Sequence, residues 1–259
     1  MNTVKSDIHI KPASDKKTDV VIEIDNLQKS FGKQKVLLDV SLKLYNGENL
    51  VVLGKSGTGK SVLIKCIVGL LTSFGGTIKV FDQNVANLKK QEMDELRKKI
   101  GFLFQSGALY DSMTVKQNLE FPLRRIKMNL SEKDIKEKIA EVLENVGLSD
   151  SLDKMPSQLS GGMRKRISLA RSIVVDPLIM LYDEPTTGLD PVTSDEISML
   201  INDVKMKYKT SSIIITHDIK CALSTADRII MLKEGNVYKD GKVEEFANSK
   251  DPEIKSFFS

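Results

Sequence analysis

The chain has 259 residues, of which 41% are hydrophobic and 29% charged, a composition typical of a soluble globular protein with one large domain or two small ones. Its formal net charge of +4 comes from interspersed lysines and acids rather than from a basic stripe, which argues against nucleic acid as a partner. The longest apolar runs are only a few residues, far short of the roughly 20 that span a bilayer, which excludes a transmembrane helix.

The polar start of the chain does not have the pattern of a signal peptide. Its first nineteen residues contain no apolar core followed by a cleavage site of small residues. We therefore expect a flexible tail over residues 1–19, no secretion and a cytosolic chain.

Alternating apolar and polar residues predict strands in the first part of the chain, at residues 20–24, 41–45 and 50–53. The Asn46-Gly47 pair between the second and third strands predicts a tight hairpin. A glycine-rich loop follows, and then a predicted helix over residues 62–71. Two cysteines, Cys66 in this helix and the distant Cys221, have apolar neighbours, which favours buried free thiols over a redox or metal site.

Later strands are predicted at residues 76–80, 100–104, 179–182, 212–216 and 228–233. The stretch between the second and third of these has helical signals instead, so we expect a helical insert there. Thr114 with Gln117 forms a capping box, and Ser131 with Asp134 forms a weaker version of the same motif. Further along, Asp190 is predicted to cap a helix whose first position is a proline.

The most specific motif is GKSGTGKS, which matches the phosphate-loop pattern G-x-x-x-x-G-K-[ST] between a predicted strand and a predicted helix. Its residues are Gly54, Lys55, Ser56, Gly57, Thr58, Gly59, Lys60 and Ser61. Glycines let backbone N–H groups approach phosphate oxygens, and the helix start adds partial positive charge. We expect Lys60 to reach the β- and γ-phosphates and Ser61 to ligate Mg²⁺. The alternative, a glycine-rich turn without a ligand, is disfavoured by this context.

Polar residues also follow two later apolar strands. Asp183 and Glu184 end one of them, which suggests Asp183 for the magnesium shell and Glu184 for holding and deprotonating the attacking water. Acids that merely end a strand on a solvated loop are the alternative. His217 ends the next strand and is predicted to contact the γ-phosphate, although a lone histidine is more often structural.

The sequence from about residue 20 onward resembles the ATP-binding cassette (ABC) transporter ATPases. The resemblance rests on the phosphate loop, the acidic pair and His217. It also rests on Gln105 after Phe102-Leu103-Phe104, the signature LSGGM with Ser160, Gly161 and Gly162, and the GLD loop that ends in Asp190. It implies that the substrate is ATP and the metal Mg²⁺. It also implies a head-to-tail dimer in which the signature of one copy completes the ATP site of the other.

The family frame also predicts the fold and further roles. We expect an α/β fold over residues 20–259, with a RecA-like P-loop NTPase core, an antiparallel β edge and a helical subdomain at about residues 106–164. The resemblance implies that Gln105 senses Mg²⁺ and the attacking water, and that Asp190 makes a contact across the dimer. A solvated polar residue at a strand end is the alternative for Gln105.

Two positions depart from the family pattern. Met163 stands where the signature commonly ends in Gln, and we expect function to survive because the preceding three residues make the phosphate contacts. Phe31 occupies the position of the tyrosine that usually stacks on adenine, and a phenyl ring still stacks. Plain core packing is the alternative for Phe31.

Similarity within the family points to a partner and a substrate class. The segments FQSGALYDSMTVKQNLEFPLR and LYDEPTTGLDPVTS are similar to the ATPases of bacterial Mla/MCE-type phospholipid transporters, with lipid-binding accessory subunits as further partners. Leu109, Tyr110 and Met113 suggest a groove for a membrane permease, unless they simply pack the insert. This places the chain on the inner face of the cytoplasmic membrane.

Other functions share parts of this sequence pattern. The ATPases of other importers and of lipoprotein-release systems share most of the same frame. Soluble ABC ATPases of DNA repair or chromosome organisation would need long coiled-coil inserts, and those of translation usually carry two cassettes. A P-loop kinase or GTPase would not explain LSGGM.

Overall fold

The computed structural model describes residues 19–73, 75–127 and 130–258, so the predicted tail lies outside the described residues except for Asp19. The strands are β1 (Val20–Phe31), β2 (Gln34–Tyr45), β3 (Asn49–Leu53), β4 (Gly75–Val80), β5 (Gln83–Asn84), β6 (Ile100–Leu103), β7 (Ile179–Asp183), β8 (Ser211–Thr216), β9 (Arg228–Lys233) and β10 (Asn236–Lys242). The α-helices are α1 (Lys60–Ile67), α2 (Lys90–Arg97), α3 (Val115–Ile126), α4 (Glu132–Asn145), α5 (Gly161–Ile173), α6 (Pro191–Tyr208), α7 (Ile219–Thr225), α8 (Val243–Ala247) and α9 (Pro252–Phe258).

One sheet organises the molecule, with the strand order β5-β4-β1-β2-β10-β9-β3-β8-β7-β6. Five neighbouring strands, from β9 to β6, are parallel to one another. The opposite part of the sheet is antiparallel, because β1 pairs with β2 and β4, and β4 pairs with β5. The predicted α/β class with an antiparallel edge is therefore confirmed.

The parallel strands are buried on both faces, as expected for a sheet covered by helices. All five residues of β3 and all six of β8 are buried. Successive side chains point to opposite faces, so Val51 packs with the helices α3 to α6 while Val52 packs with α1 and the antiparallel strands. Two apolar cores therefore pack against opposite faces of the sheet and hold its strands in place.

The hairpin predicted at Asn46-Gly47 is wrong. The turn forms, but β3 pairs with β8 and β9, both in parallel, whereas β2 pairs with β1 and β10. Because β3 is apolar on both faces, it gains more from a central position than from pairing beside β2 at its own turn. The turn therefore moves the chain from the antiparallel region into the parallel one.

Helices replace strands between β6 and β7, as the sequence predicts. The capping boxes of Thr114 and Ser131 start α3 and α4, and Asp190 caps α6 with Pro191 in its first position, so these three predictions are confirmed. The boundaries of 106–164 for a separate subdomain stay a prediction. Among the described residues, no helix has the length and apolar character needed to cross a membrane.

The parallel strands also explain where function can reside. β3, β6, β7 and β8 all run in the same direction, so their carboxyl ends meet at one edge of the sheet. In open α/β sheets, ligands bind at this edge. The glycine-rich loop, the acidic pair, Gln105 and His217 each follow one of these four strands.

Candidate functional site

The phosphate loop connects β3 to α1 in a conformation that depends on glycine. Gly57 and Gly59 have φ angles of 83° and 98°, in the left-handed region that favours glycine. A Cβ on Gly59 would lie 2.7 Å from Leu37, so this position has neither the conformation nor the space for a side chain. Thr58 closes the loop by donating its hydroxyl to the Lys55 carbonyl at 2.9 Å. The result is a backbone concavity at the start of α1 that suits an anion.

Lys60 lies in the floor of this concavity and is only 5% exposed. Its ammonium donates to the carbonyls of Gly54 and Lys55 at 2.6 and 3.1 Å, and Glu184 Oε1 is 3.7 Å away. Burial lowers the pKa of Lys60, while the charges of Glu184 and Asp183 oppose that shift. A buried cation with mainly carbonyl partners gains from an anionic ligand, as a phosphate would be.

The next residue, Ser61, places its hydroxyl oxygen beside a carboxylate oxygen of Asp183. Ser61 donates its hydroxyl to Asp183 Oδ1 at 2.8 Å, which joins the start of α1 to the end of β7. Burial raises the pKa of Asp183, and the hydrogen bond from Ser61 and the charge of Lys65 oppose that shift. A bound divalent cation would offset the free-energy cost of burying this carboxylate in its charged form.

The donors fit Mg²⁺, which takes one or two protein oxygens and completes its shell with phosphates and water. Within the described part of the chain, no group of three or more His, Cys, Asp or Glu side chains could hold a metal by itself. Ser61 and Asp183 would hold Mg²⁺, and phosphate oxygens and water would complete its shell.

Glu184 has a different environment from its neighbour. Its φ of 51° lies in the left-handed region at the end of β7. Its carboxylate lies beside Lys60 and His217, whereas that of Asp183 accepts from Ser61. His217 Nδ1 donates to Glu184 Oε2 at 2.8 Å, because an ionised carboxylate only accepts, and this leaves His217 Nε2 available. Thr187 adds a hydroxyl donor to the same oxygen at 3.2 Å. The structure thus fixes one oxygen of Glu184 and leaves the other beside Lys60.

These groups surround one cleft of about 250 Å³. Its lining residues are Val36, Ser56, Gly57, Gly59, Lys60, Ser61, Val62, Gln105, Glu184 and His217. Gln105 reaches the cleft from the exposed loop after β6. A carboxylate, an imidazole, an ammonium and a backbone anion site in one cleft can bind a polyphosphate and activate a water molecule.

Other predicted site residues lie outside this lining. Ser160 accepts a hydrogen bond from the Met163 amide as N-cap of α5, and Asp190 accepts from the Thr193 amide as N-cap of α6. Gly161 is exposed, and a Cβ on Gly162 would lie 2.5 Å from Thr193, so this glycine lets α5 approach α6. The four residues form a second surface, at the start of two helices.

Two further predicted residues lie at the margins. Phe31 ends β1 with 46% of its surface exposed and has the Lys29 ammonium 5.0 Å from its ring centre, so it is not a core residue. Lys55 is exposed and lies 3.5 Å from Glu253 of α9. Both predicted thiols are buried and free, as expected.

Sequence reasoning missed Lys165. The run Arg164-Lys165-Arg166 has the pattern of a solvated basic surface, yet Lys165 is 6% exposed and donates to backbone carbonyls beside the cleft. No local signal distinguishes it from its arginine neighbours. Only the packing of α5 against the sheet reveals it.

Comparison with known proteins places these features in a family context. A family model described as "ABC transporter" matches residues 37–187. The chain is 39% identical over 240 residues to the probable ribonucleotide transport ATP-binding protein mkl of Mycobacterium leprae, covering 93% of this chain and 69% of that protein. It is 38% identical over 257 residues to the chloroplastic protein TRIGALACTOSYLDIACYLGLYCEROL 3 of Arabidopsis thaliana, covering 93% and 74%. It is 35% identical over 252 residues to the methionine import ATP-binding protein MetN of Campylobacter jejuni, covering 92% and 75%.

Solved structures give the same picture. The dimeric ATP-binding cassette MJ0796, in a post-hydrolysis state with ADP and Pi, has a TM-score of 0.79 and 30% identity, covering 86% of this chain and 98% of that one. The cbiO1 protein of Clostridium perfringens, part of the ABC transporter complex cbiONQ, has a TM-score of 0.82 and 28% identity, covering 90% and 92%.

Proposed function

The chain belongs to the ABC transporter family of ATP-binding proteins, and on that premise we propose that it powers a separate membrane permease for phospholipids, of the Mla/MCE type. ATP hydrolysis is the family's activity, and ATP with Mg²⁺ is what its nucleotide site binds. ATP hydrolysis is supported by one observation: four strands end at the same cleft, and Glu184 lies there between Lys60 and His217.

The proposed division of labour follows the geometry. Lys60 and the loop amides bind the β- and γ-phosphates. Ser61 and Asp183, with Gln105 nearby, would hold Mg²⁺, which would supply positive charge next to these phosphates. Glu184 orients the attacking water and takes its proton with the oxygen that His217 does not hold. His217 holds Glu184 through Nδ1, and when both ring nitrogens carry a proton its Nε2 also donates to the γ-phosphate.

A second copy of the chain would complete the site. Ser160, Gly161, Gly162 and Asp190 are absent from the cleft lining, although the exposed start of α5 offers amides and partial positive charge. The dimeric state of the MJ0796 cassette supports a head-to-tail pair in which these residues face the partner's nucleotide. Phe31 at the margin would then stack on adenine.

The permease surface is proposed at the loop between β6 and α3. Tyr110 and Phe121 are 42% and 37% exposed, with ring centres 5.4 Å apart in an edge-to-face contact. Fully buried Asn118 braces this loop, because its side chain bonds both backbone groups of Tyr110 and the carbonyl of Met113. Leu109 packs partly against the core, whereas Tyr110 and Phe121 are the exposed large hydrophobic residues of this loop and α3.

The loop begins next to Gln105, so an opening of the cleft reaches it directly. We propose that residues 106–164 move as a unit and transmit this motion to the permease. This role places the chain on the inner face of the cytoplasmic membrane.

A lipid substrate is supported by a relative named for the lipid trigalactosyldiacylglycerol, and the resemblance of the sequence to Mla/MCE-type ATPases favours a phospholipid within that class. The same frame occurs in relatives named for methionine import and for ribonucleotide transport, and these are the alternative substrates. A soluble role with coiled-coil arms is disfavoured, since the longest helix in the described ranges has 18 residues.

The test is purification of the tagged chain from its own membranes, followed by mass spectrometry of bound subunits and lipids. A permease with bound phospholipid and lipid-binding accessory subunits is expected. Tyr110→Ser should lose the permease, whereas Tyr238→Ser, which alters an equally exposed tyrosine elsewhere, should keep it. A permease for methionine or ribonucleotides would overturn the lipid assignment. ATPase activity stimulated by nucleic acid, without any membrane subunit, would overturn the transport function.

A further inference from the structure

Lys165 is a buried cation that touches two loops of the cleft at once. It lies on α5, five residues after the N-cap Ser160. Its ammonium donates to the Gln105 carbonyl at 2.5 Å and to the Glu184 carbonyl at 3.4 Å. These two carbonyls belong to loops that follow different strands, β6 and β7.

The free-energy cost of burying the Lys165 ammonium argues that this charge has a specific role. Burying an ammonium group costs several kcal/mol unless hydrogen bonds and nearby charge compensate it. Burial lowers the pKa of Lys165, and the charges of Asp183 and Glu184 oppose that shift. An apolar side chain at this position would avoid the whole cost. The ammonium therefore contributes a specific arrangement of its partners rather than packing.

The partners of Lys165 are the backbone carbonyls of Glu184, which orients the attacking water in the proposed function, and of Gln105, which lies near Mg²⁺ in it. Moving either carbonyl moves the side chain attached to the same residue. A charged donor restrains such carbonyls more strongly than a neutral one. Because Lys165 and Ser160 belong to one helix, a shift of the helix start changes the same restraint.

We propose that Lys165 is a positioning residue, which sets Gln105 and Glu184 relative to each other and ties their position to the signature end of α5. This inference rests on the proposed function, because that function assigns the water-orienting Glu184 to one of these loops and Gln105, near Mg²⁺, to the other. Lys165 does not line the cleft, so we expect no contact between its side chain and the nucleotide. It should therefore affect turnover and leave nucleotide affinity unchanged.

The test compares Lys165→Met, which keeps chain length but removes the donor, with Lys165→Gln, which keeps a shorter neutral donor. Lys138→Met is the matched control, since it removes a half-buried ammonium that pairs with Glu141 in the insert and with Asp176 after α5. Each purified protein is assayed for kcat and KM by phosphate release. Equilibrium ATP affinity and Tm are measured on the same samples.

We expect kcat to fall at least about tenfold for Lys165→Met and at least about threefold for Lys165→Gln, with ATP affinity and KM within about threefold of the wild type. Lys138→Met should keep the wild-type kcat. If Lys165→Met does not fold, Lys165→Gln decides by the same criterion.

A wild-type kcat in the decisive variant overturns the inference. A loss of kcat together with ATP affinity and Tm overturns it too, because that is the result of a structural role. A wild-type chain without ATPase activity would instead refute the proposed function, which keeps the two failures distinct.

Discussion

Replacing Glu184 by glutamine removes one charge from the centre of the cleft and preserves the shape of the side chain. In the structure one oxygen of Glu184 accepts hydrogen bonds from His217 and Thr187, and the other lies 3.7 Å from the Lys60 ammonium. An amide can keep the first set of contacts through its carbonyl oxygen. It cannot take a proton from water, and it no longer attracts Lys60.

The size of both effects can be worked out. A positioned general base contributes about 10² to 10⁴ in rate, which is about 2.7 to 5.4 kcal/mol in activation free energy. At 3.7 Å and an effective dielectric constant of about 20, Glu184 and Lys60 attract each other by about 4.5 kcal/mol. Losing this partner leaves the Lys60 ammonium free for phosphate, so ATP affinity should be equal or higher.

Glu184→Gln is thus expected to lower kcat by at least about 100-fold and to accumulate an ATP-bound dimer. Phosphate release measures kcat, equilibrium titration measures ATP affinity, and light scattering measures mass with and without ATP. Glu132→Gln, the same change on an exposed ion pair of α4, should have none of these effects. A kcat within threefold of the wild type, or a variant that stays monomeric with ATP, would refute the reasoning.

Three other outcomes are expected. Lys60→Ala should abolish measurable ATPase activity by removing the buried ammonium of the phosphate loop, and near-normal phosphate release would contradict that role. Ser160→Arg should block hydrolysis while leaving ATP binding to the monomer intact, and loss of binding in a titration would contradict a signature that acts on the partner. Burial raises the pKa of Cys66 and raises that of Cys221 to about 11, so neither thiol should react with iodoacetamide at pH 7.5 until the chain unfolds, as mass spectrometry would reveal.

The local parts of the site follow from sequence because their chemistry is local. Only glycine adopts the φ angles of Gly57 and Gly59 without strain beside a helix start. Asp190 and Thr114 cap helices through amides three residues away, so the signal and the structure lie within one turn. The resemblance to the ABC transporter family then indicates how these motifs follow one another along the chain.

Contacts between distant segments depended on the tertiary structure. The central position of β3 depends on β8 and β9, more than 150 residues later, and no turn residue reports such partners. His217 and Glu184 meet because two parallel strands end at the same edge of the sheet, although 33 residues separate them in the chain. Lys165 has the sequence context of a solvated lysine, and it becomes a buried donor only once α5 packs over the loops of Gln105 and Glu184. Burial is a property of the assembled layers, so side chains of equal chemistry diverge in role only after folding.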